Sequence, residues 1–118
     1  MVTIEVDEAF AFDFLSIAAV KAKKKLNGAR AQLVFYYDSL EFQLEIRFHD
    51  IIKSEEYKEL IRLNEEIYDK LEIIRKDPNL ILASVIDELN SERYEVKKKL
   101  QFKFFNKDMK EVKSNERR

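Results

Sequence analysis

Residues 54–79, SEEYKELIRLNEEIYDKLEIIRKDPN, carry the clearest folding signal in this chain. They contain a stripe made of Tyr57, Leu60, Asn64, Ile67, Leu71 and Ile74. Its 3-4-3-4-3 spacing is typical of a helix packed along a seam of neighbouring helices. Ser54 can cap the helix N-terminus, and the two acids that follow it suit the helix dipole in the first turn. The pattern predicts a helix over residues 54–76.

Glycine and proline are almost absent from the chain. Its 118 residues include 1 glycine, Gly28, and 1 proline, Pro78. Because glycine and proline build most hairpin turns, phosphate-binding loops and nucleophile elbows, their scarcity favours helices and argues against loop-borne catalysis. With 46% hydrophobic and 38% charged residues, the composition is typical of amphipathic helices. We expect one all-α domain over 1–105 and a frayed basic tail over 106–118.

The pattern divides this domain into an antiparallel bundle of about four helices, at roughly 7–26, 29–52, 54–76 and 78–105. Asp7 would cap the first helix and Asn27-Gly28 would end it. Asp77 would cap the fourth, with Pro78 at its first position.

The segment 29–52 is ambiguous. It has apolar residues at helical spacing, namely Leu33, Tyr37, Leu40, Leu44, Phe48 and Ile51. It also has a strict alternation through Leu40, Phe42, Leu44, Ile46 and Phe48, which is typical of a strand. A helix with two apolar sides is favoured, sandwiched between neighbours or covered by a second subunit. The alternative is an α+β fold with a hairpin at 31–48.

Several classes of chemistry have no residues to support them. The chain has no cysteine and a single histidine, His49, which excludes disulfides, thiolate metal sites and a histidine cluster. No apolar run approaches the roughly 20 residues of a membrane span, and residues 1–10 lack the pattern of a signal peptide. We therefore expect a soluble, cytoplasmic protein that is not an enzyme and uses no metal or cofactor.

Polar residues interrupt two apolar stripes. Asn64 interrupts the stripe of 54–76, and Arg93 interrupts a second stripe made of Leu82, Ile86, Leu89, Arg93, Val96 and Leu100. Asn90 and Lys97 lie on the same helical side as Arg93, and arginine beside lysine suits a phosphate or a carboxylate. One interpretation is an anion site. The structural alternative is that Asn64 fixes helix register and that the head of Arg93 reaches solvent or a carboxylate such as Glu72.

Charge is distributed unevenly. Residues 1–92 hold 12 Lys/Arg against 19 Asp/Glu, a net charge of −7, whereas residues 93–118 hold 10 against 4, a net of +6. The basic end can bind nucleic acid or an acidic partner, or it can be attracted to the acidic body of its own chain. The predicted partner surface consists of Phe42, Ile46, Phe102, Phe104 and Phe105.

Paired helical acids raise one enzymatic alternative. Glu56 and Glu59 have the E-x-x-E spacing, and Glu66 and Asp69 the E-x-x-D spacing, with which small all-α nucleotide pyrophosphatases bind magnesium. If the stripe residues face the core, these acids point outward, whereas a metal site needs them to converge. A solvated acidic face is the favoured interpretation.

Two segments resemble a known family. Residues 63–75, LNEEIYDKLEIIR, and 90–100, NSERYEVKKKL, are similar to the patterns v-N-x-x-l-W-x-i-E-D-x-i-R and N-D-x-R-a-x-l-K-r-x-i. Both patterns belong to a family of small helical bacterial and phage proteins of unknown function (DUF6165-like). A looser similarity runs from residue 6 to residue 21, so that about half the chain is covered. The resemblance implies an all-α fold and a helical 29–52, and it implies no activity.

The resemblance and the stripes single out nearly the same polar residues. The candidate polar or anion site therefore consists of Asn64, Glu72, Arg75, Asn90, Arg93 and Lys97. The chain departs from the family pattern at Tyr68, which replaces a tryptophan, and at Leu71, which replaces the first of two paired acids.

These features lead to one functional hypothesis and two alternatives. We expect a non-enzymatic helical interaction or assembly protein that forms oligomers. The alternatives are a nucleic-acid-binding module that uses residues 93–118 and a small metal-dependent nucleotide pyrophosphatase.

Overall fold

The computed structural model of this protein describes residues 8–109. Within that range it has five helices, α1 (Glu8–Lys23), α2 (Ala29–Leu44), α3 (Ile46–Ile52), α4 (Glu55–Lys76) and α5 (Leu80–Phe105). No strand occurs in 8–109. The all-α prediction is confirmed and the alternative hairpin at 31–48 is wrong. The predicted Asp7 cap and the predicted tail from residue 110 onward lie outside the described residues.

The predicted helix 29–52 is two helices, because the chain breaks at Glu45. Glu45 has φ 48° and ψ −112°, so α3 leaves in a new direction and buries Phe48 and Ile51 completely. Phe42 and Ile46 stay 84% and 80% exposed. The predicted burial of both apolar sides is therefore not observed within the chain, and the alternating pattern of this segment marks a broken helix.

Replacing Glu45 with glycine is expected to stabilise the protein. A side chain at this backbone conformation costs about 1–3 kcal/mol, whereas the extra chain entropy of glycine costs about 0.5–1 kcal/mol. We expect Glu45→Gly to raise the free energy of unfolding by about 1 kcal/mol in urea denaturation. Glu45→Ala keeps the strain and is the control. A loss of stability in Glu45→Gly would contradict the conformation described.

The first helix ends earlier than the sequence predicts. The Leu26 N–H donates to the Lys21 carbonyl oxygen at 3.1 Å, and the Lys25 N–H donates to the Ala22 oxygen at 3.0 Å. This pair of bonds is a Schellman motif with Lys25, at φ 60°, in the left-handed position usually held by glycine. Gly28, at φ 77°, instead precedes α2 as its N-cap residue. The prediction that Asn27-Gly28 ends the first helix is wrong.

The ends of α4 and α5 are set by side-chain caps. The Ser54 hydroxyl accepts a hydrogen bond from the Tyr57 N–H at 3.1 Å, which confirms the predicted cap. At α5 the cap is Asn79, whose Oδ1 accepts from the Leu82 N–H at 3.0 Å. Pro78 thus precedes the helix instead of opening it, and Asp77 is the C-cap of α4. Asn106, at φ 53°, ends α5 directly after Phe105, as predicted.

The core lies where the five helices meet, and α2 contributes Leu40 to it. Its largest completely buried apolar side chains are Phe12, Phe48, Leu15, Ile51, Leu60, Leu63 and Leu100. Phe12 meets the edge of Tyr57, with ring centroids 6.3 Å apart. α4 and α5 run antiparallel. The contact between Lys103, near the end of α5, and Glu56, at the start of α4, shows this orientation.

The outer part of the α4–α5 pair extends away from this core. Between Ile67 and Ile86 no residue is buried. Asp69 pairs with Lys24, the residue that directly follows α1. We call residues 68–85 the distal arm.

Candidate functional site

Five polar side chains from three helices meet inside the protein. They are Asp13 and Ser16 on α1, Asn64 on α4, and Arg93 and Lys97 on α5. Asp13 is 1% exposed, and Ser16, Asn64 and Lys97 are also buried. We call this group the polar cluster.

Asp13 is the centre of the polar cluster. The Arg93 Nε donates to Asp13 Oδ1 at 3.1 Å, and its second terminal nitrogen donates to Oδ2 at 2.6 Å. This two-point contact matches the planar guanidinium to the planar carboxylate. The Lys97 Nζ lies 3.8 Å from Asp13 Oδ2 and 4.6 Å from the centroid of the Phe10 ring. Two cations of α5 therefore face one carboxylate of α1.

Asn64 connects the same carboxylate to α4. Its Nδ2 donates to Asp13 Oδ1 at 3.1 Å and to the Ser16 hydroxyl at 2.8 Å. The Ser16 hydroxyl in turn donates to the backbone oxygen of Asp13 at 2.7 Å. In 8–109 no sealed side-chain nitrogen or oxygen lacks a hydrogen-bond partner. The polar cluster is thus a satisfied network, which fixes the registers of α1, α4 and α5 relative to one another.

The predicted anion site is occupied by a carboxylate of the protein itself. Arg93 and Lys97 pair with Asp13, and the Asn90 side-chain oxygen accepts from Arg93 at 3.2 Å at the surface. The structural interpretation of Arg93 is right in kind, but its partner is Asp13 and not Glu72. What the arrangement does chemically is neutralise buried charge and specify packing.

Two predicted members, Glu72 and Arg75, neither belong to the polar cluster nor contact it. The Arg75 guanidinium donates to Glu72 at 3.0 Å, one turn away on the same helix, and both side chains are exposed. Glu72 and Arg75 do not converge with Asn64, because both lie in the distal arm.

Sequence reasoning missed Asp13 and Ser16 as site residues. A signal for them existed, since Asp13, Ser16 and Val20 follow helical spacing next to the apolar Phe12 and Leu15. An acid in such a stripe needs a buried cation.

The basic end of the chain pairs with acids of its own body. Lys107 contacts Glu8 at 2.9 Å, and this contact lowers the pKa of Glu8 to about 2. The Gln101 side chain caps α1 by accepting from the Ala9 N–H at 2.8 Å. Lys103 contacts Glu56 at 3.1 Å. These contacts favour the interpretation in which the basic end is attracted to its own acidic body.

The paired helical acids also hold partners within the protein. Glu59 and Glu66 both pair with Arg62, and Asp69 pairs with Lys24. Among the described residues, no group of three or more histidine and acidic side chains is arranged to hold a metal ion. His49 lies on the surface, 3.3 Å from Glu41.

The predicted partner surface divides into two groups. Phe42, Ile46 and Phe102 are exposed. Phe104 and Phe105 are partly buried and pack against the core. They pack inward because α5 continues alongside α3, where Arg47 donates to the Phe104 carbonyl oxygen at 3.3 Å.

None of the helices in 8–109 combines the length and the apolar character that crossing a bilayer requires.

Comparison of the chain with protein-family models, with curated proteins and with solved structures found no match in any of the three. The resemblance of residues 63–75 and 90–100 to the DUF6165-like family therefore stays a prediction.

Proposed function

We propose that this protein is a non-enzymatic interaction protein that assembles with copies of itself through the distal arm. The proposal keeps two expectations from the sequence, a cytoplasmic location and bundle-like antiparallel packing. The single observation that carries it is the exposed apolar surface of residues 68–85.

The distal arm is apolar where a solvated hairpin would be polar. Leu80 and Ile81 are 90% and 77% exposed, and Ile73 is more than half exposed. Ile73 lies in the last turn of α4, and Leu80 and Ile81 lie in the first turn of α5, on either side of the three-residue connection 77–79. All three exposed apolar residues therefore belong to the tip of the distal arm. Exposed apolar residues that are grouped in this way mark interaction surfaces, whereas scattered ones do not.

The partner that fits the distal arm best is a second arm. A two-helix hairpin cannot enclose a core by itself, but two hairpins packed face to face form a four-helix arrangement. Such a contact is self-complementary and closes as a dimer.

The assembly is tested by replacing the apolar tip with acids. We expect the wild-type chain to run in light scattering at a multiple of its 14.1 kDa mass, and Leu80→Glu with Ile81→Glu to run as a monomer. Charges placed in the interface are costly to bury, whereas at an exposed tip they leave folding intact.

The matched control is Phe42→Glu with Ile46→Glu, which alters the other exposed apolar pair. A monomeric wild-type protein would refute self-assembly. Dissociation by the control pair and not by the tip pair would assign the interface to the surface around Phe42.

The two alternatives have less support. Nucleic-acid binding needs accessible cations, yet Arg93, Lys97, Lys103 and Lys107 contact acids of the same chain. A magnesium-dependent pyrophosphatase needs acids that converge on a metal, whereas Glu59 and Glu66 both pair with Arg62 and Asp69 pairs with Lys24.

A further inference from the structure

A second feature, remote from the distal arm, is an open apolar pocket of about 420 Å³ among α1, α2, α3 and α4. Its walls include Leu15, Leu33, Val34 and Ile52. Its polar members are Tyr37, Asp38 and Tyr57. Pockets of a few hundred Å³ with apolar walls and few polar groups are typical of small-molecule sites.

Tyr57 is a buried polar residue of this pocket whose hydroxyl forms no hydrogen bond within the described part of the chain. The residue is 6% exposed. Among residues 8–109, no unpaired side-chain oxygen is sealed from solvent, so the hydroxyl faces the open space of the pocket. Burial raises the pKa of Tyr57, and the neighbouring Tyr37 raises it further. The hydroxyl therefore stays protonated and can donate.

Asp38 supplies charge at the mouth of the same pocket. Its side chain is exposed, and it forms no ion pair or hydrogen bond within the described part of the chain. A carboxylate beside an apolar cavity favours a ligand that carries a positive charge.

We propose that the pocket binds a small aromatic amine with a hydrogen-bonding group opposite its ammonium. The ring fills the apolar space, the hydrogen-bonding group pairs with Tyr57 at the inner end, and the ammonium pairs with Asp38 at the mouth. This site is independent of the assembly through the distal arm, and either can fail without the other.

The test is an NMR titration of the full chain with four probes, namely tyramine, phenethylamine, 4-ethylphenol and 3-(4-hydroxyphenyl)propionate. We expect tyramine to shift the amide signals of the pocket and to bind most tightly. 4-Ethylphenol, which lacks the amine, should bind about fivefold more weakly, a difference of about 1 kcal/mol. The propionate should bind most weakly, because its charge is repelled by Asp38.

Two conservative variants assign the polar contacts. Tyr57→Phe keeps the ring and should weaken tyramine by roughly threefold to tenfold, the range of a hydrogen bond, while leaving phenethylamine unchanged. Asp38→Asn should weaken both amines about fivefold, and Asp50→Asn, an exposed aspartate outside the pocket, should weaken neither.

Binding also requires that the apolar pocket stay unfilled by side chains of the protein. Ala19 lines the pocket, and Ala19→Leu should abolish binding by filling it. Absence of shifts at the pocket with tyramine would overturn the proposal. Equal binding of the amine and the propionate would overturn it too, as would equal weakening of tyramine and phenethylamine by Tyr57→Phe.

Discussion

Asp13→Asn is expected to lower the free energy of unfolding by about 3–5 kcal/mol, the usual cost of removing one partner from a buried ion pair. The amide removes the negative charge while keeping the shape of the side chain. Arg93 and Lys97 then face a neutral group, and Lys97 is buried. Urea denaturation followed by circular dichroism measures the loss, with an unchanged denaturant slope showing that folding stays cooperative.

Glu72→Gln is the matched control for Asp13→Asn. It is also a carboxylate paired with an arginine, Arg75, at 3.0 Å, but both side chains are exposed. Exposed pairs contribute about 0–1 kcal/mol because water and salt screen them. A loss below about 1 kcal/mol in Asp13→Asn would contradict the polar cluster as described. The two losses in free energy of unfolding also compare Asp13, which sequence reasoning missed, with Glu72, which it selected.

Phe48→Ala is expected to cost about 3–5 kcal/mol, the range for removing a buried aromatic ring. Phe48 is completely buried. Its ring lies edge-on to the Tyr37 ring, with a centroid distance of 4.7 Å, and its centroid is 6.2 Å from that of the Phe12 ring. Its loss leaves a cavity that joins α1, α2 and α3. Urea denaturation checks this prediction as well.

Phe42→Ala is the control for Phe48→Ala, because the two residues lie in the same alternating stretch of sequence. Phe42 is 84% exposed, so its removal should change stability by less than about 0.5 kcal/mol in the dissociated chain. Equal losses in the two variants would mean that α2 and α3 form one continuous helix whose two faces are alike.

Local signals predicted the parts of this fold that local physics controls. The Ser54 cap, the helix α4 and the end of α5 at Phe105 depend on interactions within a few residues, and all three are observed. The predicted stripe of α4 is buried only from Tyr57 to Ile67, and Leu71 is exposed. The break at Glu45 was not predicted, because no glycine or proline marks it. The helix breaks there because Phe48 and Ile51 reach the core only when α3 changes direction.

The polar cluster was half predictable. A polar residue in an apolar stripe is visible in a sequence, and so Asn64, Arg93 and Lys97 were found. Which residues meet is a long-range property, since Asp13 and Arg93 are 80 positions apart. Glu72 and Arg75 share the helical pattern with their neighbours, but they lie in the distal arm, beyond the reach of α1.

The sequence by itself therefore determined an all-α chain, because the scarcity of glycine and proline and the spacing of apolar residues act through local backbone geometry. Tertiary structure alone decided which charges are buried together, which aromatic side chains are covered and where a pocket stays open. Those outcomes depend on the packing of distant helices, and burial from water sets their energies.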